Sequence, residues 1–378
     1  MTLRHKIYLL LPDFVDEAIR RSRAAFRQLR KRDIRFERIR GRCDGSREPF
    51  EALVTDKTTT VDYLLRRLLT DRMEYTECRQ LPRKAVRRLL LDSNNADLTI
   101  IRGDRRSDHG AADYWRIPDS VVSIIDLDSV TAAEKLGYGN ADSLRRIKKH
   151  RLTATVSHDR QELSDFVHNA YIPHIRSRFG DLARPHSELV IARAFKSGGL
   201  LWVEQDGVRL AGTVFSTSGG IICSRVAAPV TDSKLATRVH AVSSTKKFLI
   251  DYAVEHGYKG LDLGRSRPCL LDGVLRHKKR WGARLADSPG ESMEFHMSWP
   301  AFTPAIANWL VTTPLVVRDR GGLAGLTALP ENESIEACQD RLQRLWSPGL
   351  ASINVLNETG RNPGIHEVNG TRVTWQSC

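Results

Sequence analysis

The sequence has few of the features from which disulfide-rich and zinc-binding proteins are built. Its 378 residues contain six cysteines, and no two of them form a CxxC pair. Zinc sites use closely spaced Cys and His pairs, and small secreted domains use dense cysteine frameworks. Both classes are therefore disfavoured. We expect reduced thiols, no metal and a cytoplasmic location.

A long uninterrupted apolar run is also missing. The N-terminal stretch MTLRHKIYLLLPDF has only about five consecutive apolar residues before a proline, so it predicts no export signal. Residues 301–318 are interrupted by Pro304 and Pro314 and fall short of the ~20 residues of a spanning helix. We expect no membrane span, although a segment lying on a lipid surface stays open.

Internal repeats of fixed period and low-complexity segments are absent as well. With 41% hydrophobic and 28% charged residues, the composition is that of a globular protein. At roughly 150 residues per domain, the length predicts two domains and more than one hydrophobic core.

Positive charge is what the sequence has in excess. Lys and Arg number 59 against 45 Asp and Glu, which gives a formal net charge of +14. Such a surface attracts RNA, DNA or acidic lipid head groups, and a merely solubilising surface is the alternative. Eleven of the 23 residues from Arg20 to Arg42 are basic, so this segment is either a solvated face or one that contacts a polyanion.

Periodicity and turn signals divide the chain into three stretches. Residues 1–120 predict an N-terminal α/β unit, 121–300 a second α/β domain, and 301–378 a C-terminal extension. The N-terminal unit has predicted helices at 13–32, 61–73 and 83–91, followed by extended runs at 96–103 and 114–127.

The second domain combines a meander with a crossover. A basic helix from Ser143 leads into a strand, a helix at 160–180 follows, and residues 198–229 predict three antiparallel strands. Next comes one long helix, for which Asp232 or Ser233 is a natural N-cap, and a strand at Leu261–Leu263. A crossover of this length makes that strand parallel to Ile221–Val226.

Three short stretches carry a resemblance to a known family. They are SLRRIKKH at 143–150, YIP with RFG at 171–173 and 178–180, and GLDLG followed by KKRWG at 260–264 and 278–282. Together with the meander and crossover, these stretches resemble the FemAB-like branch of the GNAT (N-acyltransferase) superfamily. The resemblance spans about 160 residues.

The resemblance implies a fold and a reaction. The fold is α/β (α+β), with a GNAT-like, mostly antiparallel central sheet flanked by helices. The reaction transfers an aminoacyl group from aminoacyl-tRNA, or an acyl group from acyl-CoA, to an amine on a small molecule or peptide. The donor is a co-substrate, and no cofactor is bound permanently.

The loop at 227–235 departs from ordinary acetyltransferases, because it lacks the glycine turn that holds the coenzyme A pyrophosphate. Such a cradle needs glycines so that successive backbone N–H groups converge at a helix N-terminus. The departure favours tRNA as donor, although Ser233 and Lys234 could still bind a phosphate. The further candidates for donor binding, on the basic entry helix, are Arg145, Arg146 and Lys148.

The resemblance also implies an oxyanion site. Backbone N–H groups at Val226 and Ala227 would face the acyl carbonyl, and Lys278, placed by the turn at Gly264, would hold donor phosphate or stabilise the oxyanion. We predict that Lys278 and these amides converge on one carbonyl carbon. The run Arg276–Arg280, RHKKR, can instead be an ordinary solvent-facing helix.

A general base is harder to assign. Asp262 and Glu204 are candidates by position, but Asp262 can equally cap the next turn, and substrate or solvent can take the proton. Arg265 and Arg267 could grip an acceptor carboxylate or phosphate through paired hydrogen bonds.

The KKRWG motif adds substrate-binding candidates. They are His277, Lys279 and Trp281, with His277 standing where an aromatic or apolar residue is usual. Cys269 is interpreted as a buried, inert thiol, and His240 and His256 as packed or capping residues of the crossover helix.

Two other functions stay open. One is an acyl-CoA-dependent N-acyltransferase of polysaccharide or natural-product biosynthesis, with residues 301–318 on a membrane surface. The other is a non-catalytic nucleic-acid-binding protein.

Overall fold

The structure is a computed structural model of the chain. It describes residues 33–43, 49–55, 58–69, 74–82, 85, 96–104, 114–127, 141–180, 183, 185–230, 234–288, 293–330, 333–357 and 362–377. The predicted helix at 13–32 lies outside these residues, as do nearly all of the helix predicted at 83–91 and the predicted caps Asp232 and Ser233.

Strands and helices alternate along the chain. The first run is β1 (Asp33–Arg42), β2 (Pro49–Thr55), α1 (Thr59–Leu68), β3 (Glu74–Pro82), β4 (Leu98–Asp104), β5 (Trp115–Pro118) and β6 (Val121–Asp126). The second is α2 (Ala141–Lys149), β7 (Thr153–Ser157), α3 (Arg160–Phe166), a π-helical turn (Val167–Tyr171), α4 (Ile172–Phe179), α5 (Glu188–Ser197), β8 (Gly199–Gln205), β9 (Val208–Ser218), β10 (Ile221–Pro229), α6 (Lys234–Arg238), α7 (Ala241–Glu255), β11 (Gly260–Ser266), α8 (Gly273–Arg280) and β12 (Arg284–Asp287). The third is β13 (Met293–Ser298), α9 (Pro304–Thr312), β14 (Leu315–Asp319), β15 (Gly322–Ala328), α10 (Ile335–Leu345), β16 (Ser352–Asn357), β17 (Glu367–Val368) and β18 (Thr371–Ser377).

The contacts divide the described chain into two compact units. The seven-stranded unit contains residues Val122–Gly264 and His277–Arg284, and the eleven-stranded unit contains the described residues up to Val121 together with Arg265–Arg276 and Leu285–Cys378. The predicted extension, 301–378, therefore shares a unit with the N-terminal strands.

The eleven-stranded sheet explains why this segment is not a separate extension. Its strand order is β17-β18-β16-β15-β14-β5-β13-β4-β2-β1-β3, so β13 pairs between β4 and β5, and β14 to β18 continue the same sheet. Leu315 and Leu326 lie in one hydrophobic core with Ile100 and Ile39. The C-terminal strands thus complete a core that the N-terminal strands begin.

The apolar run at 301–318 lies inside this unit. Thr303 caps α9 by accepting the Ile306 N–H, and Ile306, Leu310 and Leu315 are fully buried. The idea of a segment lying on lipid is therefore wrong, because its apolar side chains are in the core. In the described part of the chain, no helix is both long and apolar enough to cross a membrane.

The seven-stranded sheet has the order β12-β6-β11-β10-β9-β8-β7, and β7 to β10 are antiparallel. Asp206 and Gly207 both have positive φ, as a two-residue hairpin turn requires. Along β8, Leu201 faces the core that contains α7, whereas its neighbour Trp202 faces the core that contains α3. Helices cover both faces of the sheet. The predicted mixed, mostly antiparallel fold is confirmed.

The crossover from β10 to β11 has the predicted parallel pairing, Ile221 with Gly260. It differs from the prediction in one respect. The single helix expected there is two helices, α6 and α7, separated at His240, which has the left-handed φ of 58°.

The helix predicted at 160–180 is also interrupted. Asp159 caps α3 by accepting the Gln161 N–H, and the chain then passes through the π-helical turn into α4. Pro173 lies in the first turn of α4, where its missing N–H is tolerated.

Candidate functional site

The parallel ladder between β10 and β11 is short. As described, it runs only from Ile221–Gly260 to Cys223–Asp262, while β10 continues along β9 as far as Pro229. The register between β10 and β9 shifts between Ser224 and Val226, which is a β-bulge. Since a bulge bends its strand, the end of the ladder at Cys223 and the bulge after Ser224 together favour a divergence of β10 from β11 beyond Ser224.

The end of β11 forms a fixed turn beside this bulge. The Gly264 N–H donates to the Asp262 carboxylate at 2.7 Å, and Gly264 has a φ of +81°. The Ser224 carbonyl, which starts the bulge, lies 3.5 Å from the position that a Cβ on Gly264 would take. The Asp262 carboxylate therefore caps this turn. Capping was the alternative to a role as general base.

Lys278 is fixed to the same turn from α8. Its side chain is only 5% exposed, and its ammonium group donates to the Gly264 carbonyl at 2.7 Å. The bulge and Lys278 therefore both adjoin Gly264. Their convergence on a substrate carbonyl remains a prediction.

A cleft of about 460 Å³ opens at the end of β10. It is lined by Asp142 and Ser143 of α2, His174 of α4, Pro229 of β10, Ala236 and Thr237 of α6, His240, Val242 and Ser243 at the start of α7, and His277 and Arg280 of α8. All these residues belong to the seven-stranded unit.

His240 lines this cleft, and its side chain neither packs in the core nor caps the helix, contrary to the prediction. It is the N-cap residue of α7, its side chain makes no capping hydrogen bond, and Nδ1 lies 3.7 Å from Asp142 Oδ2. His256 behaves as predicted, because it ends α7 and stacks on Tyr252 with ring centroids 3.9 Å apart.

Two basic groups at or near the cleft, His277 and Lys246, have lowered pKa values. Burial, followed by the positive charges of Lys246, Arg280, Lys278 and His240, lowers the pKa of His277 to about 4. Burial also lowers the pKa of the half-buried Lys246 to about 8.

Asp142 opposes this positive charge. Hydrogen bonds from Arg146 and Arg145 lower the pKa of its exposed carboxyl to about 2. The Asp142 carboxylate therefore stays ionised, and it binds Arg145 and Arg146, two of the four cations predicted to bind the donor. Another of the four, Lys148, is exposed on the same helix. Ser233 and the side chain of Lys234 lie outside what the structure describes.

The predicted acceptor-binding residues have varied surroundings. Arg267 lies over the Tyr63 ring and 3.6 Å from Asp272, and Arg265 is exposed. Trp281 is fully buried in the core of the seven-stranded unit, so it cannot contact substrate as predicted.

Lys279, Glu204 and Cys269 do not line the cleft. Lys279 is half-buried. Glu204 lies on β8, where it accepts a hydrogen bond from Thr155, and it does not line the cleft. Cys269 is buried and burial raises its thiol pKa, as expected of an inert thiol.

No sequence pattern identified His174, Asp142 or Arg280 as cleft residues, and His240 was predicted to be a packed or capping residue. Each lies on a different helix or helix end, so no spacing within one segment connects them. The one available signal was the abundance of histidine near the ends of the helices in this domain.

Comparisons with known proteins give weak matches. No family model matches the chain, and no curated protein matches it. Solved structures that match include L-PGS from Bacillus licheniformis, at 12% identity and a TM-score of 0.36 over 68% of this chain and 82% of that one. FemX matches at 15% identity and a TM-score of 0.38 over the same shares.

A GCN5-related N-acetyltransferase from Sphaerobacter thermophilus matches at 11% identity and a TM-score of 0.31, over 55% of this chain and 62% of that chain. These neighbours are of the kinds that the sequence resembles. At such scores they carry no weight for the reaction, which is inferred below from the residues of the site.

Proposed function

We propose that the seven-stranded unit is an acyltransferase that joins an aminoacyl or acyl group to an amine and so forms an amide or peptide bond. The observation that carries the proposal is the end of the β10–β11 ladder at a bulge beside Lys278. Divergence of the two strands beyond this point leaves a gap in which a backbone N–H of β10 faces a bound carbonyl oxygen.

In the proposed reaction, the donor carbonyl lies in the gap between β10 and β11. The amine lone pair attacks the carbonyl carbon, and the oxygen becomes an oxyanion that accepts a hydrogen bond from the amide of Val226 or Ala227, whichever faces β11. Collapse of the tetrahedral intermediate breaks the bond to the donor oxygen or sulfur, which gains a proton. The amine loses a proton in the same step.

Lys278 contributes through charge and position. Its ammonium group has three N–H donors, of which one binds the Gly264 carbonyl. It therefore fixes the end of β11 and places a positive charge next to the bulge. A buried positive charge stabilises a developing oxyanion more strongly than an exposed one would.

The donor in this proposal is aminoacyl-tRNA. Three features support a tRNA donor: the net charge of +14, the missing glycine turn at 227–235, and the exposed cations beside the cleft. Arg145, Lys148 and Arg280 are exposed on α2 and α8, where a phosphodiester backbone could run. The acceptor is an amine on a small molecule or peptide.

Transfer of a labelled amino acid from aminoacyl-tRNA to a panel of amines tests the proposal. We expect an alkali-stable amide that is not formed after ribonuclease treatment. Lys278→Met should lower the rate at least a hundredfold, since one oxyanion-stabilising group is worth about 10²–10³ in rate. Lys259→Met, at an exposed lysine just before β11, is the control and should change the rate less than threefold.

Three results would redirect the proposal. Ribonuclease-resistant transfer from an acyl-CoA would replace tRNA by coenzyme A as donor. Salt-dependent RNA binding without transfer would indicate a non-catalytic nucleic-acid-binding protein. Equal effects of the two lysine substitutions would remove Lys278 from the mechanism.

A further inference from the structure

Strand β7 forms one edge of the seven-stranded sheet. It stands last in the strand order, and within the described part of the chain it pairs only with β8, from Thr153–Glu204 to Ser157–Leu200. The outer side of an edge strand presents a row of backbone N–H and C=O groups to its surroundings. Thr153 and Thr155 are exposed, and the other residues of the strand are half-buried. The outer edge of β7 is therefore accessible to a further strand.

The sequence of β7 does not block such pairing. Proteins commonly protect an exposed edge with a lysine, a proline or a β-bulge. This strand reads Thr-Ala-Thr-Val-Ser, and its ladder with β8 runs in one continuous register. β-branched residues such as threonine and valine favour strand pairing. β7 is thus suited to extend the sheet beyond this chain.

The two ends of β7 differ in charge. The end of α2 and the turn that follows it, just before β7, carry three exposed cations: Lys148, Lys149 and Arg151. After β7, the exposed carboxylates are those of Asp159, which is the N-cap residue of α3, and Asp165, with one exposed arginine, Arg160, between them. Antiparallel strands place the start of one strand beside the end of the other. Two antiparallel copies of β7 would therefore bring the basic end of each against the acidic end of the other.

We propose that two copies of the chain form a dimer through antiparallel pairing of their β7 strands about a two-fold axis, which joins their seven-stranded sheets. Such a contact is isologous, because the same strand supplies both sides and must be complementary to itself. The opposite charges at the two ends of β7 meet this condition. The contact does not depend on the proposed reaction.

The register with Thr155 opposite its own copy suits this dimer. Thr155 is the middle residue of β7, so all five residues of the strand find a partner. Arg151 and Asp159 then lie at equal distances from the axis on opposite sides, and each faces the other across the contact. Ala154 lies opposite Val156, and both side chains already pack against the core of their own unit. Their pairing adds an apolar cross-strand contact to the backbone hydrogen bonds.

The oligomeric state of the full chain tests the proposal. Sedimentation velocity over a range of protein concentrations should show a monomer–dimer equilibrium. The dimer should weaken as the salt concentration rises, because salt screens charges at an exposed contact.

Thr155→Lys is the decisive variant. It places two like charges opposite each other on the axis, which should weaken the dimer about tenfold or more. Because Thr155 is exposed, the circular dichroism spectrum and Tm of the monomer should change little. Val254→Lys, at an exposed residue of α7, is the matched control and should leave the dimer unchanged.

Disulfide trapping tests the register. Opposite residues of an antiparallel pair have Cα atoms about 4.5–5.5 Å apart, which a disulfide can span. Mild oxidation of Thr155→Cys should therefore give a covalent dimer, and mass spectrometry should find residue 155 of both copies in the cross-linked peptide. Val254→Cys, oxidised in the same way, should give no dimer linked through residue 254.

Two further variants test the charges at the ends. Arg151→Gln and Asp159→Asn should each weaken the dimer at low salt, and asparagine at 159 keeps an N-cap on α3. Their effects should disappear at high salt.

Three results would overturn the proposal. They are a chain that stays monomeric at every concentration, a Thr155→Lys variant that dimerises like the wild type, and a Thr155→Cys variant that yields no dimer linked through residue 155. A monomer that instead binds a strand of another protein at β7 would also exclude the two-fold contact.

Discussion

Neighbouring residues of α8 have different surroundings although all are basic or titratable. In the run RHKKR, Arg276 and Arg280 are exposed, His277 is half-buried against the cleft, and Lys278 is buried against Gly264. The sequence allowed either a solvent-facing helix or a helix whose lysine holds donor phosphate or stabilises the oxyanion. Both descriptions apply, because successive helical residues point about 100° apart.

His277 makes stability depend on pH. Its pKa falls from the ordinary 6.5 to about 4 on folding, so between these values the unfolded chain binds more protons. The free energy of unfolding should therefore decrease as the pH drops from about 6.5 to about 4. Denaturant titrations should show a smaller decrease for His277→Gln. An identical pH dependence in both proteins would contradict this assignment.

At the scale of helices and strands, short sequence patterns predicted the elements whose partners lie nearby in the sequence. The two-residue turn at Asp206-Gly207 and the alternation along β8 were sufficient for the meander. The length of the crossover predicted a parallel β11. The bulge at Arg225 and the break at His240 have no comparable signal, since neither glycine nor proline marks them.

Strand β13 has an unusual core. Glu294 and His296 are fully buried, and the carboxylate accepts hydrogen bonds from His296 at 3.0 Å and Arg116 at 2.7 Å. Arg318 lies 3.4 Å from its other oxygen. Burial raises the pKa of Glu294, but the bonds from His296 and Arg116 outweigh it and keep the pKa below its ordinary value.

Glu294→Gln should therefore be costly. It leaves the nearly buried Arg318 and the partly exposed Arg116 without this counter-charge, and loss of one partner of a buried pair costs about 3–5 kcal/mol. Glu333→Gln is a control in the same unit, because the Glu333–Arg341 pair is partly exposed and should contribute less than about 1 kcal/mol. Urea denaturation measures both. Equal losses of unfolding free energy in the two variants would mean that burial does not strengthen the ion pairs of Glu294.

At the scale of the whole molecule, the sequence was least informative about residues 301–378. Their strands were not predicted, and their membership of the N-terminal sheet depends on the pairing of Arg318 with Arg116, about 200 residues apart. No local pattern encodes a partner at that distance. The predicted division after residue 120 needed only local signals, and the contacts also change there.

Deletion of 301–378 should consequently unfold the eleven-stranded unit. The deletion removes Leu315, Val317 and Leu326 from a core that they share with Ile100. Hydrogen exchange should show loss of protection in β4 and β13. Deletion of 362–378 alone removes only the sheet edge at β17 and β18 and should be milder. Undisturbed protection of β4 in the longer deletion would show that 301–378 is a dispensable extension.

A crystal structure with an RNA 3′ end that bears an amide-linked amino acid tests most directly the gap proposed between β10 and β11. We predict that the acyl carbonyl oxygen lies about 3 Å from the amide nitrogen of Val226 or Ala227, beside Lys278. An analogue bound elsewhere, with that gap unfilled, would contradict it.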